Sequence, residues 1–171
     1  NRPASVASRS ITMRRRSDVP AMTLRSAVVG GGTVSGVHLS GLDRNPRTEL
    51  VAVCDTDEET AREIAEDYDV AAYFDVESLL ADTDLDWVHV CTPVQTHLPI
   101  AKRVIEAGIP VQIEKPITET YEEFEELAAH AERHGVVVSE KHNHDFDPVV
   151  REAMRQKRDG ELGDVRGVDV I

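Results

Sequence analysis

Three consecutive glycines, Gly30-Gly31-Gly32, follow the apolar run Ala27-Val28-Val29 and precede a segment with helical spacing. A strand, a glycine turn and a helix in that order gather unpaired backbone N–H groups and the positive end of a helix dipole at one point, which suits a pyrophosphate. Gly30 and Gly32 fill the first two positions of a G-x-G-x-x-G pattern; Thr33 and Val34 come next in the turn, and Ser35 stands in the third position. That position needs a small residue so that helix and strand approach closely, and serine meets the need. Asp55 ends the second apolar run, 25 residues after Gly30, where a carboxylate accepts hydrogen bonds from adenosine ribose hydroxyls. The same carboxylate repels a 2′-phosphate and Thr56 beside it brings no positive charge, so the expected cofactor is NAD, with NADP less favoured. Thr92-Pro93, His97 and the trio Glu114-Lys115-Pro116 come at or soon after the ends of later apolar runs. The plainer alternatives are a helix cap for Asp55 and a surface turn with an incidental ion pair for the trio.

Such residues need a scaffold that brings strand ends together. From Leu24 onward, short apolar runs alternate with helical patterns, the signature of repeated βα units and a parallel sheet. The predicted strands are 27–29, 50–54, 71–74, 87–91, 110–113 and 136–138. The predicted helices run through Val37, Leu39 and Leu42, then through Ala61, Ile64, Ala65 and Tyr68 after a cap at Thr56 or Asp57, then over 76–81, 97–107 and 118–134. Gly108 and Gly135 stand where helix ends call for glycine. Asp147-Pro148 predicts a further helix to about Arg158, and residues 165–171 alternate like a new strand. The fold class is therefore α/β, a doubly wound parallel sheet of the Rossmann type.

The segment from Val111 to Thr118, with Thr92-Pro93 and His97 before it, resembles the Glu-Lys-Pro signature of the glucose-fructose oxidoreductase, inositol dehydrogenase and rhizopine-catabolism family of dehydrogenases. The resemblance covers about residues 24–171. It implies hydride transfer between a nicotinamide cofactor and a sugar, polyol or related hydroxy compound. Lys115 is then the residue that hydrogen-bonds the substrate hydroxyl and stabilises developing alkoxide. Glu114 would hold the lysine or contact cofactor ribose, and Pro116 would fix the backbone. Thr92, Pro93 and His97 match a segment passing beside ribose and nicotinamide, where His97 either contacts a ligand or is a plain surface residue. His38 and His89 have no partner identifiable from the sequence and are assigned to packing or to the helix after the glycine turn. The stretch from His142 to Pro148 resembles the family's crossover into a substrate domain, with Asp145 where an arginine is usual. Its two histidines and two aspartates lack ligand spacing, and no metal is expected.

A chain of 171 residues accommodates one domain, or one domain and the start of another. The expected division is a basic tail over 1–21, a dinucleotide-binding domain over 22–141, and over 142–171 the crossover and start of an α+β substrate domain. The family's substrate domain supplies an acid/base histidine, so a chain ending here is expected to be a fragment or truncated product that binds NAD(H) without turning over substrate. Arg2, Arg9, Arg14, Arg15 and Arg16 against Asp18 give the tail +4 within a net charge of −13. The tail reads either as a transit peptide or as an over-extended start upstream of Met22. The strongly acidic remainder repels phosphate backbones, which argues against nucleic acid as a partner and suits a protein kept in solution at high salt. No apolar run approaches the roughly 20 residues of a membrane helix. Cys54 and Cys91 lie in apolar runs rather than in a disulfide framework, which fits a reducing cytoplasm. A homo-oligomer is expected for the full-length form. The competing functions are a non-catalytic, NAD-responsive regulatory protein, for which Lys115 has no chemical use, and an S-adenosylmethionine-dependent methyltransferase, which leaves Glu114-Lys115-Pro116 without a role.

Overall fold

A computed structural model describes residues 23–142, 146–164 and 166. The tail over 1–21, Asn143-His144-Asp145 of the crossover and, Arg166 apart, the strand expected over 165–171 lie outside the described residues. Six strands, β1 (Leu24–Val29), β2 (Thr48–Cys54), β3 (Ala71–Tyr73), β4 (Trp87–Val90), β5 (Val111–Ile113) and β6 (Val138–Glu140), form one sheet. All pairings are parallel, in the order β3-β2-β1-β4-β5-β6. The chain therefore winds outward from β1 to one edge, returns to the middle at β4 and winds to the other edge. The turn after β1 and the turn after β4 meet at that reversal, the place where open α/β sheets bind ligands outside the carboxyl ends of their strands.

Strand side chains alternate between faces, and both faces are covered. Ala27, Val29, Ala52, Cys54, Val88, Val90, Val111 and Ile113 face the core shared with α3 (Val76–Asp82), α4 (His97–Glu106) and α5 (Tyr121–His134). Val28 and Val53 pack instead with Leu39 and Leu42 of α1 (Ser35–Arg44) and Ala65 of α2 (Glu58–Tyr68). Ser35, His38, Leu39 and Leu42 are the buried residues of α1, a spacing of three, four and seven that makes one stripe. α6 (Pro148–Arg158) follows the crossover, capped by Asp147, whose carboxylate accepts the Val149 N–H.

Boundaries differ from the sequence expectation where caps intervene. The long helix begins at Tyr121 rather than Thr118, because Thr120 caps it through the Glu123 N–H. The sixth strand starts at Val138 rather than Val136: Gly135 takes a φ of +64°, and the Val136 N–H returns to the Ala131 carbonyl to close the helix. Of the two caps offered for α2, Asp57 serves, accepting the Thr60 N–H.

Candidate active site

Gly30 leaves β1 with a φ of +97° while its N–H donates to the Cys54 carbonyl at 2.8 Å. A Cβ here would lie 2.8 Å from both Cys91 C and Thr92 N, so only glycine lets the first turn lie against the end of β4. The Gly31 N–H donates to Asp55 Oδ2 at 2.6 Å, tying the turn to the tip of β2. Gly32 has nothing within 4 Å of an added Cβ, and Gly32, Thr33 and Val34 are exposed. Ser35 answers for the third glycine: it is buried, and its N–H and hydroxyl both donate to the Gly32 carbonyl, at 2.9 and 2.7 Å. No side chain caps the start of α1. Open space over Gly32 beside an uncapped helix start fits the pyrophosphate of a dinucleotide.

Asp55 is half-buried, and its carboxylate accepts from Gly31 N and from Asp57 N at 2.9 Å. A carboxylate has about four acceptor positions, so two remain for ribose hydroxyls.

On the other side of the reversal, His97 is not the plain surface residue that was one of its two expected roles. It is 1% exposed, with Nδ1 3.0 Å from the Pro116 carbonyl and Nε2 2.8 Å from the Thr92 carbonyl. The ring thus brackets the Thr92-Pro93 turn to the Glu114-Lys115-Pro116 loop, and both nitrogens lie against backbone carbonyls. Thr92 Oγ1 accepts from the Thr96 hydroxyl at 2.8 Å, and Pro93 is exposed. Lys115 is exposed and its ammonium has no partner among the described residues. The Lys115-Pro116 peptide is cis.

Glu114 holds Lys115 through the backbone only: its Oε2 accepts the Lys115 N–H at 3.2 Å. Its Oε1 lies 2.7 Å from His38 Nε2 and 3.6 Å from Lys141 Nζ, and His38 Nδ1 lies 3.0 Å from His89 Nδ1. His38 thus lies in the helix after the glycine turn, as expected, but it and His89 have polar partners that the sequence did not identify, Lys141 among them. A signal was present. Gln112 and Glu114, and Ser139 and Lys141, are polar two residues apart, the mark of one polar sheet face, and His89 is a polar residue within an apolar strand. Burial raises the Glu114 carboxyl, but hydrogen bonds from His38 and the Lys115 amide, with the charges of His38 and Lys141, outweigh it and hold the group below its ordinary range.

Burial pushes His89 down to about 3, helped by His38 and Lys141, and burial likewise lowers His38 against the pull of Glu114. Both rings are therefore neutral in the fold at pH values where an unfolded histidine, titrating near 6.5, takes a proton. The unfolded chain then binds more protons, so stability falls as pH drops below about 6.5. From His89 the expected loss is about 1.4 kcal/mol per pH unit, or roughly 2 kcal/mol by pH 5. Urea denaturation at pH 7.5 and 5.0 checks this, and His89→Asn should flatten that part of the slope.

Residues 24–142 match the family described as "Oxidoreductase family, NAD-binding Rossmann fold". The chain is 32% identical over 152 residues to the D-glucoside 3-dehydrogenase of Escherichia coli, covering 88% of this chain and 43% of that protein. It is 29% identical over 149 residues to the inositol 2-dehydrogenase of Rhizobium meliloti, covering 87% of this chain and 45% of that protein. Among solved structures, GenD2 from gentamicin A biosynthesis, in complex with NAD, superposes with a TM-score of 0.76 at 37% identity, covering 81% of this chain and 40% of that one. The chain thus spans less than half the length of these relatives. It belongs to the glucose-fructose oxidoreductase, inositol dehydrogenase and rhizopine-catabolism family of oxidoreductases, and residues 24–142 are its NAD-binding Rossmann domain.

Proposed function

We propose that this chain is the cofactor-holding part of an oxidoreductase that transfers hydride between NAD, in preference to NADP, and a hydroxyl-bearing carbon of a sugar, polyol or related compound. The observation that carries this reading is the exposed Lys115, unpartnered among the described residues, at the same sheet edge as the Gly30 turn and Asp55. Bound there, the nicotinamide supplies the acceptor for hydride. The turn at Gly30-Gly31-Gly32, with Thr33 and Val34, binds the pyrophosphate through backbone N–H groups. Asp55 orients the adenosine ribose, and Thr92 and Pro93 flank the nicotinamide side. Lys115 hydrogen-bonds the substrate oxygen and stabilises its negative charge: the alkoxide left when the hydroxyl gives its proton to solvent, which becomes the carbonyl as hydride leaves, and the same charge as it grows when hydride adds to the carbonyl in the reverse direction. Glu114 and His97 stay off the ligands and hold the loop that carries Lys115.

Charge supports the cofactor preference. Asp55 is followed by Asp57, Glu58 and Glu59 at the start of α2, all repelling a 2′-phosphate. Arg62, the nearby cation, pairs with Glu58 and lies over the Phe74 ring at 4.7 Å. Titration of the 171-residue chain by nicotinamide fluorescence should show NADH binding at least about tenfold, or ~1.4 kcal/mol, more tightly than NADPH. Asp55→Ala should narrow that ratio. Tighter binding of NADPH would overturn the preference.

A further inference from the structure

On the face of the sheet that receives α1, the β1 and β2 half is apolar, but the β4 to β6 half is not. His89, Gln112 and Ser139 pair in one row across these strands, and Glu114 and Lys141 extend the same face beyond the ends of β5 and β6. His38 reaches down from α1 onto this polar half, its side chain 2% exposed against 8% for Glu114.

The proton positions follow from donor and acceptor chemistry. An ionised Glu114 only accepts, so the 2.7 Å contact makes His38 Nε2 the donor. His38 Nδ1 is then bare, and the 3.0 Å contact makes His89 Nδ1 a donor toward it. His89 also shares a side-chain hydrogen bond with Gln112, its neighbour on β5. Lys141 Nζ, 3.6 Å from Glu114 Oε1, is the counter-cation; with Nε2 protonated toward Glu114, its 3.2 Å approach to that nitrogen is a contact between two donors held together by the shared carboxylate, not a hydrogen bond. Apolar packing would cover α1 at least as stably, since replacing buried ionic groups with well-packed hydrophobic ones is often neutral or stabilising. What the polar cluster adds is a fixed orientation for one carboxylate. That carboxylate takes the N–H of the next residue, Lys115, while the helix that holds it begins at the phosphate turn.

We propose that His38 is a positioning residue for Lys115. Acting through Glu114, with Lys141 as counter-cation, it locks the substrate-contacting lysine to the helix that receives the cofactor phosphates. The proposal rests on the reading of Lys115 as the residue that touches substrate.

Four measurements test it. Nitrogen-15 spectra of the chain at neutral pH should show His38 as the Nε2–H tautomer and His89 as the Nδ1–H tautomer; His38 found as Nδ1–H would overturn the proposal without any variant. In His38→Leu, amide exchange at Lys115 should rise at least about fivefold, with Val88 and Val90 unchanged and NADH affinity within about threefold. His38→Gln, which keeps a donor for Glu114, should restore most of the protection. In the active oxidoreductase, His38→Leu should lower kcat on the order of ten- to a hundredfold, as expected for a misplaced catalytic group. Unchanged exchange at Lys115, or an equal rise at Val88 and Val90, would show a packing role only. Full kcat in His38→Leu beside a dead Lys115→Ala would overturn this proposal and leave the Lys115 reading standing. Full kcat in Lys115→Ala would remove both, and the exchange data would still report whether His38 holds the loop.

Discussion

Replacing Lys115 with alanine in the active oxidoreductase is expected to lower kcat on the order of 10²–10³, the loss that follows removal of one donor to a developing oxyanion. Cofactor affinity should move by less than about threefold, because the phosphate and ribose contacts proposed for the Gly30 turn and Asp55 lie on other strand ends. The expectation rests on what the side chain lacks. Lys115 is exposed, and no ion pair or hydrogen bond among the described residues engages its ammonium, while the adjacent Glu114 carboxylate is committed to His38 and Lys141. A lysine free to act beside a neighbour already satisfied suits a group that meets substrate. Arginine should not replace it, since a planar guanidinium fork cannot present a single compact donor at the same point. Steady-state kinetics with a parallel NADH titration separates the two quantities. A kcat within twofold of the parent chain's would remove Lys115 from the chemistry.

The parts of this site that could be read in advance are the local ones. Gly30, Gly32 and Ser35 are close in sequence and announce their own geometry; Asp55 and Glu114-Lys115-Pro116 follow apolar runs that the sheet turns into neighbouring strand ends. Doubly wound topology then does the assembly, because parallel strands joined by helices place all their carboxyl ends on one edge. What escaped is the set of contacts that depend on where those strands lie side by side. His38 meets His89, Glu114 and Lys141 across separations of 51, 76 and 103 residues, and no spacing rule reaches that far. His97 illustrates the same limit: its place at a helix start left a ligand contact and a surface position both open, yet the loop at Pro116 closes over it and turns it into a bracket. The displaced starts of α5 and β6 have a smaller cause, the choice between two nearby threonines as cap and the residues consumed in closing a helix at Gly135.

Gly30 and Gly32 carry different burdens, and substituting each with alanine should separate folding from binding. At Gly30 the φ of +97° disfavours any side chain by about 1–3 kcal/mol. The new Cβ would also press on backbone atoms of Cys91 and Thr92 at 2.8 Å, which cannot rotate away as a side chain would. Gly30→Ala is therefore expected to lower Tm on the order of 5–10 °C and to weaken NADH binding, because the two turns at the strand reversal are forced apart. Gly32 has neither constraint: it lacks a positive φ, and nothing lies within 4 Å of an added Cβ. Gly32→Ala should leave Tm within about 2 °C while weakening NADH by roughly tenfold, since the methyl group occupies the space through which the backbone approaches the pyrophosphate. Thermal denaturation and NADH fluorescence on both variants decide the matter. If Gly32→Ala binds NADH as the parent does, the pyrophosphate does not lie over this turn, and the site must be redrawn from Asp55 outward.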